Sequence, residues 1–183
     1  SIYTADELRE RLRRIRHVAL DMDGTIYMGM SLFSCTKPFL SGLKELGISY
    51  SFLTNNPSKS IDDYLHKLSK PGIEATREEM YTTALATIDY IKTNLPQARC
   101  LFLLGTPSMI SEFEKAGFVS TGDDPDDVPD AIVAAFDMTL SYDRLCRAAW
   151  WISQGVPYIA TNPDRVCPTD QRVVLVDCGS ICK

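Results

Sequence analysis

Short apolar stretches alternate with amphipathic stretches along the chain. The apolar stretches are rich in β-branched and aromatic side chains, which is typical of buried strands. The amphipathic stretches begin at capping residues and end near glycine or proline, which is typical of helices. Alternation of this kind favours an α/β fold with a parallel sheet. The pattern predicts strands at 17–20, 48–53, 99–104, 131–136, 157–160 and 173–176. It predicts helices at 4–15, 36–46, 60–70, 76–94, 106–117 and 141–154.

The composition supports a folded chain and narrows the possible functions. With 183 residues, 45% of them hydrophobic, the chain is long enough for one domain, or for one domain and part of another. The formal net charge is −5 and no basic run could track a phosphate backbone, which argues against a nucleic-acid partner. No apolar stretch approaches the roughly 20 residues of a membrane span. We therefore expect a cytoplasmic protein without a membrane partner.

Six cysteines do not change this expectation. They form no Cys-x-x-Cys pair, and with two histidines the sequence has no grouping typical of a zinc site. Cys178 and Cys182 could share a helix face. Reduced thiols of mixed burial are the simpler interpretation, and they fit the cytosol.

Two aspartates follow the first predicted strand, in the segment Asp21-Met-Asp-Gly-Thr25. Residues i and i+2 of an extended chain point the same way, so Asp21 and Asp23 can share one site at the carboxyl end of the strand. Two close carboxylates repel each other, and a divalent cation relieves that repulsion. Hard oxygen ligands suit Mg²⁺. Gly24 allows a sharp turn. A capped turn without catalysis is the alternative.

A second polar segment, Thr54-Asn-Asn-Pro57, follows the next predicted strand. The Thr54 hydroxyl, the Asn55 amide and nearby backbone N–H groups are uncharged donors that suit a phosphoryl oxygen. Pro57 would begin the turn that leads to the next helix. A right-handed β-α-β unit would bring both segments to the same sheet edge. A plain Asx turn is the alternative.

Three motifs together resemble those of the haloacid-dehalogenase-like superfamily, in its NagD-like and 4-nitrophenyl-phosphatase-like branch. They are Asp21-Met-Asp-Gly-Thr-Ile-Tyr-Met-Gly29, Leu53-Thr-Asn-Asn-Pro-Ser-Lys59 and Ala160-Thr-Asn-Pro-Asp164. The resemblance covers nearly the whole chain in motif order and approximate spacing. It implies an Mg²⁺-dependent hydrolase of small phosphorylated metabolites.

The resemblance also implies a role for each motif residue. Asp21 would be the nucleophile that forms an aspartyl-phosphate, and Asp23 the general acid and base. Asp21 through its carboxylate, and Asp23 through its backbone carbonyl, would bind Mg²⁺. Thr54 and Asn55 would hold the phosphoryl group.

A domain division is implied as well. Residues 1–96 would form the N-terminal part of a Rossmann-like core, and residues 97–183 an inserted α/β cap over the active site. In the cap, Arg165, Val166 and Cys167 resemble the segment that faces the substrate. Arg165 would meet an anionic group or lie on the open surface, and Cys167 would be a neutral pocket wall. Members of the branch often pair through their caps, which predicts a homodimer.

Two family motifs are missing: a lysine that steadies the phosphoryl group, and an acidic pair that completes the metal site. Both follow the cap in the family, whereas this chain ends at Lys183, within the region that resembles the cap. We therefore expect the N-terminal part of a longer polypeptide, truncated before the C-terminal part of the core. The 183-residue segment alone should be a poor catalyst.

Three other functions were weighed. A phosphotransferase or phosphomutase shares the fold, but mutase relatives usually insert their cap earlier. A signalling receiver domain places its acceptor aspartate after its third strand, whereas here both aspartates lie in one Asp-x-Asp. A non-catalytic binding or dimerisation module would fit the missing motifs but does not need an intact Asp-x-Asp-Gly-Thr.

Overall fold

The computed structural model describes residues 2–56, 59–122, 124–167 and 172–183. In that part of the chain, no helix is both long and apolar enough to span a bilayer. The helices are α1 (Ala5–Arg13), α2 (Thr36–Glu45), α3 (Ile61–Ser69), α4 (Thr83–Asn94), α5 (Pro107–Lys115), α6 (Tyr142–Ser153) and α7 (Cys178–Ile181).

The strands are short and fall into two parallel sheets and two hairpins. They are β1 (His17–Asp21), β2 (Tyr27–Met28), β3 (Ser31–Leu32), β4 (Ser49–Thr54), β5 (Met80–Thr82), β6 (Cys100–Leu104), β7 (Val119–Ser120), β8 (Ala131–Ala134), β9 (Tyr158–Ala160), β10 (Val166–Cys167) and β11 (Leu175–Val176).

The first sheet has the strand order β1-β4-β5, and both pairs are parallel. Asp21 at the end of β1 lies opposite Leu53, and Thr54 at the end of β4 lies opposite Thr82. Parallel pairing brings the carboxyl ends of the strands to one edge. This confirms the α/β class and brings the two polar segments to the same edge, as the sequence predicts.

The second sheet has the order β7-β6-β8-β9, and all its strands are parallel. Leu101 and Leu103 of β6 join a core cluster with α4 and α5, whereas Phe102 and Leu104 join one with α6 and α7. A parallel sheet covered on both faces needs strands that are apolar throughout, which explains the continuous hydrophobic runs. The hairpins β2–β3 and β10–β11 are antiparallel.

Helix α4 packs with the second sheet, although it precedes residue 97. Its residues Ala84, Ile88 and Ile91 belong to the same core cluster as β6 and β8. The first sheet has a separate cluster, which includes Phe52 of β4 and Tyr64 of α3. The domain boundary after residue 96 stays a prediction. Helix α4 precedes this boundary in the sequence but packs with the elements that follow it.

The region after residue 76 differs from the predicted continuous helix. The capping box at Thr76 and Glu79 supports only a 3₁₀ turn, Arg77–Glu79. The chain then extends as β5, because Met80–Thr82 pairs with the end of β4. Helix α4 begins afterwards, where the Thr82 hydroxyl accepts the N–H of Leu85 at 3.2 Å. Pairing with a distant strand therefore outweighed the local helical pattern.

Four charged side chains connect α3 with α5. Arg77 lies 2.9 Å from Asp62 and 3.3 Å from Glu112, and Lys115 lies 3.0 Å from Asp62 and 3.1 Å from Glu112. The Glu112 side chain is only 4% exposed. A buried carboxylate needs such partners. Arg77 and Lys115 therefore connect α5, which packs with the second sheet, to α3, which packs with the first sheet.

Candidate active site

The turn after β1 carries two exposed aspartates, Asp21 and Asp23, on either side of the buried Met22. Met22 is fully buried between Asp21 and Asp23 and holds the turn to the core. Its carbonyl accepts the N–H groups of Thr25 and Ile26 at 3.2 and 2.9 Å. Gly24 has a φ of 85°, a conformation that other residues rarely adopt. The sharp turn predicted at Gly24 is therefore present.

Asp21 and Asp23 are both exposed, but they contact different groups. Asp21 is exposed and accepts the Thr25 hydroxyl at 3.2 Å. Asp23 is partly desolvated, and this burial raises the pKa of its carboxyl group, with Lys67, Lys59 and Asp21 as smaller influences. A carboxyl group with a raised pKa keeps its proton at higher pH, which is what a general acid requires.

Lys67 of α3 lies beside Asp23. Its Nζ is 3.9 Å from Oδ1 of Asp23 and 3.4 Å from the centre of the Tyr27 ring. The lysine side chain is only 14% exposed, and burial lowers its pKa despite the opposing effect of Asp23. Since burial raises the pKa of Asp23 and lowers that of Lys67, desolvation outweighs their mutual attraction.

Tyr27 also contacts Lys67. The residue is 3% exposed, and its hydroxyl has no hydrogen-bond partner among the described residues. Burial, together with Asp23 and other nearby groups, raises the pKa of Tyr27, so the hydroxyl stays neutral. An unpaired buried hydroxyl is costly.

The turn after β4 is held by a tyrosine of α3. Tyr64 donates to the carbonyl of Asn56 at 2.8 Å, and its hydroxyl lies 3.4 Å from that of Thr54. The Thr54 hydroxyl accepts the N–H of Asn56 at 3.2 Å. Thr54 is 5% exposed, so its hydroxyl is fixed within the loop. Tyr64 and Lys67, one helical turn apart on α3, thus hold the two halves of the site.

Asn55 contacts the segment that follows β9, the last strand of the second sheet. Its Nδ2 donates to Oδ2 of Asp164 at 2.5 Å, and its carbonyl accepts Nδ2 of Asn162 at 3.2 Å. Asn162 is buried and also lies 3.4 Å from Oδ1 of Asp177. These bonds bring the segment that follows β9 against the phosphate-binding loop expected from the sequence.

The segment predicted to face the substrate is only partly brought to the site. Cys167 lies 3.8 Å from Nδ2 of Asn56, whereas the side chains of Arg165 and Val166 are exposed. Burial, then the nearby aspartates, raise the pKa of the Cys167 thiol, which favours its neutral form. The predicted turn at Pro57 and the end of this segment at Pro168 lie outside the described residues.

The donor set fits a hard cation in part. Within the described ranges, no three His, Cys, Asp or Glu side chains converge on one point. Asp21 and Asp23 nevertheless bring carboxylate oxygens to one turn. Mg²⁺ is commonly bound by one or two carboxylates and keeps several waters, so these residues suit it.

Sequence reasoning did not find the residues that come from elsewhere in the chain. Tyr64 and Lys67 have helical spacing on the helix directly after Thr54, which was the available signal. Asn162 and Asp164 belong to a motif recognised only as a branch marker. Nothing in the sequence indicates that the Tyr27 hydroxyl is buried without a hydrogen-bond partner among the described residues.

Comparison with known proteins decides the family. A family model described as haloacid dehalogenase-like hydrolase matches residues 18–119, more than half of the chain. The chain belongs to this family. The relatives include an acid sugar phosphatase of Staphylococcus aureus (strain USA300), 32% identical over 163 residues, which is 89% of this chain and 61% of the relative.

Solved structures agree with this assignment. The 4-nitrophenylphosphatase from Thermotoga maritima has a TM-score of 0.85 and 37% identity, covering 93% of this chain and 63% of its own. A glycerol phosphate phosphatase from Mycobacterium tuberculosis, in complex with magnesium, has a TM-score of 0.82 and 27% identity, covering 92% and 50%. The predicted family is confirmed, and this haloacid dehalogenase-like chain spans about three fifths of the first two relatives.

Proposed function

We propose that the protein is a hydrolase of small phosphorylated metabolites. The observation that carries the proposal is the meeting of Asp21, Asp23 and Thr54 at one sheet edge in a haloacid dehalogenase-like chain. Support also comes from the relatives, which are named as phosphatases of sugar phosphate, 4-nitrophenyl phosphate and glycerol phosphate. No observation favours a phosphotransferase or a non-catalytic module.

The two aspartates would divide the chemistry. Asp21 would attack phosphorus, the leaving oxygen would depart, and a covalent aspartyl-phosphate would form. Asp23 would give a proton to the leaving oxygen and then take one from the water that hydrolyses the intermediate. The burial-raised pKa of Asp23 supports this assignment over the reverse.

Thr54 and Asn55 would hold the phosphoryl group. The hydroxyl of Thr54 is fixed by the loop, whereas the amide of Asn55 is engaged by Asp164. The amide would therefore exchange the Asp164 carboxylate for a phosphoryl oxygen when substrate binds. Both groups are uncharged donors that stabilise charge on the equatorial oxygens.

The Asp21 carboxylate and the backbone carbonyl of Asp23 would hold Mg²⁺. Bound there, the cation would neutralise charge on the phosphoryl group. The exposed position of the Asp21 carboxylate leaves room for such an ion.

The second sheet and its helices would act as a cap. The hydrogen bonds of Asp164 and Asn162 with Asn55 support this role, because they join the loop after β9 to the turn after β4. A lid in that position would exclude water and contact the leaving group. Pairing through the cap remains a prediction from the family resemblance, and a cytoplasmic location remains a prediction from the sequence.

A metal-dependence assay tests the proposed function. The 183-residue chain and the Thermotoga maritima 4-nitrophenylphosphatase are compared with 4-nitrophenyl phosphate and a panel of phosphorylated metabolites. We expect phosphate release by the chain that requires Mg²⁺, stops with EDTA, and is slower than that of the relative. Release unaffected by EDTA, or none above the Asp21→Asn background, contradicts the proposal. A rate equal to that of the relative contradicts the expected weakness of the segment alone.

Lys67→Met is expected to slow the hydrolysis of alkyl phosphates more than that of 4-nitrophenyl phosphate. Without the ammonium group beside Asp23, the general acid loses its orientation, and only a poor leaving group needs the proton. We expect kcat/KM for glycerol phosphate to fall on the order of 10-fold more than for 4-nitrophenyl phosphate. Lys70→Met, one residue beyond the helix and exposed, is the matched control. Equal losses on both substrates would show that Lys67 is merely structural.

A further inference from the structure

Two cysteines form a close pair at the last described helix. Cys178 is the first residue of α7 and Cys182 is its C-cap. Their sulfur atoms are 3.6 Å apart. Neither belongs to the proposed catalytic machinery. The sequence allows the two to share a helix face but favours reduced thiols of mixed burial.

The two thiols are not equivalent. Cys178 is fully buried, with its sulfur 3.1 Å from the carbonyl of Ala134, whereas Cys182 is partly exposed. A hydrogen bond from Cys182 lowers the pKa of Cys178, against the effect of burial. The same contact raises the pKa of Cys182.

We propose that Cys178 and Cys182 are a redox-active dithiol that hydroperoxides oxidise to an intramolecular disulfide. The accessible Cys182 thiol loses its proton to solvent, and the resulting thiolate attacks the peroxide. The O–O bond breaks, a sulfenic acid forms, and the departing hydroxide takes the proton of Cys178 to become water. The Cys178 thiolate then attacks the sulfenyl sulfur, the S–S bond forms, and the S–O bond breaks with release of hydroxide.

The geometry permits this bond. Residues i and i+4 of a helix have Cα atoms about 6 Å apart, which lies within the range that disulfides span. The sulfurs must approach from 3.6 Å to about 2.05 Å. Since α7 is a single turn, small rotations at its end are enough to close that gap. The low exposure of Cys178 protects it from direct oxidation and makes it the resolving thiol.

Oxidation of the two cysteines would change the position of a loop at the candidate active site. The N–H of Gly179 donates to the carbonyl of Asp164 at 2.7 Å, and the Ser180 hydroxyl donates to that of Arg165 at 2.8 Å. Asp164 in turn holds Asn55. A shift of α7 therefore moves the loop that covers the phosphate-binding turn. This consequence rests on the proposed function, but the dithiol chemistry does not.

Peptide mass spectrometry tests the pair directly. Trypsin releases residues 173–183 as one peptide that contains both cysteines and no other. The reduced, folded chain is treated with a small excess of hydrogen peroxide, blocked with iodoacetamide under denaturing conditions, and digested. We expect this peptide to lose both alkylation sites and to weigh two hydrogen atoms less than its reduced form. Dithiothreitol should restore both sites.

Matched variants separate this pair from general thiol oxidation. Cys146→Ser, at an exposed cysteine of α6, should leave disulfide formation unchanged. Cys182→Ser should leave Cys178 reduced and fully alkylated. The proposal is overturned if both cysteines of the wild-type peptide remain alkylated, if they carry sulfinic or sulfonic acids instead, or if either is joined to another cysteine. These readouts need no enzymatic activity, so they stand even if the proposed function fails.

Discussion

Asp21→Asn is expected to lower the rate of phosphate release on the order of 10⁴-fold or more. The amide is a far weaker nucleophile than the carboxylate, and no neighbouring group can take its place. We do not expect Asp23 to attack in its stead, because burial raises its pKa and favours the protonated carboxyl group, which is a poor nucleophile. The measurement is the steady-state rate with 4-nitrophenyl phosphate at saturating Mg²⁺.

Asp6→Asn is the control for this loss. Asp6 is an exposed aspartate in the first turn of α1, far from the site in sequence, and its replacement should leave the rate unchanged. If Asp21→Asn retains a substantial fraction of the wild-type rate, Asp21 is not the nucleophile and the proposed mechanism fails.

Gly179→Ala is expected to lower the free energy of unfolding by about 1–3 kcal/mol. A Cβ at this position would lie 2.1 Å from the carbonyl oxygen of Pro163 and 2.8 Å from that of Asp164. Both obstacles are backbone atoms, which cannot rotate away as a side chain can. Helix α7 must therefore move off the loop that holds Asn55. Urea denaturation measures the change in stability.

Gly42→Ala is the matched control and should have the opposite sign. Gly42 lies within α2, and a Cβ there would meet nothing within 4 Å. Alanine is the better helix former, by roughly 1 kcal/mol. If Gly179→Ala is as stable as the wild type, the close approach of α7 to Pro163 does not constrain the fold.

The parts of the site that lie at strand ends could be predicted from the sequence. Asp21 and Thr54 each end an apolar run, so the parallel pairing of two neighbouring strands was enough to bring them to one edge. The turn at Gly24 is also local, because its hydrogen bonds all lie within a few residues. Local signals therefore sufficed for the catalytic edge itself.

The remaining features depend on contacts between distant segments. β5 became a strand because β4 offers it a partner, which the capping box at Thr76 could not reveal. The contacts of Lys67 with Tyr27 and of Asp164 with Asn55 join residues 40 or more positions apart in the sequence. Such pairings depend on how α3 and the second sheet pack, which hydrophobic periodicity alone does not specify.

Chemical trapping of the phosphorylated chain tests the central claim most directly. The reaction with 4-nitrophenyl phosphate is quenched within the first turnovers and treated with borohydride, which reduces an acyl phosphate to an alcohol. The tryptic peptide that begins at His17 is then sequenced by mass spectrometry. The account predicts homoserine at position 21, and none in the Asp21→Asn variant. Homoserine at position 23, or unmodified aspartate at both positions while phosphate is being released, would contradict it.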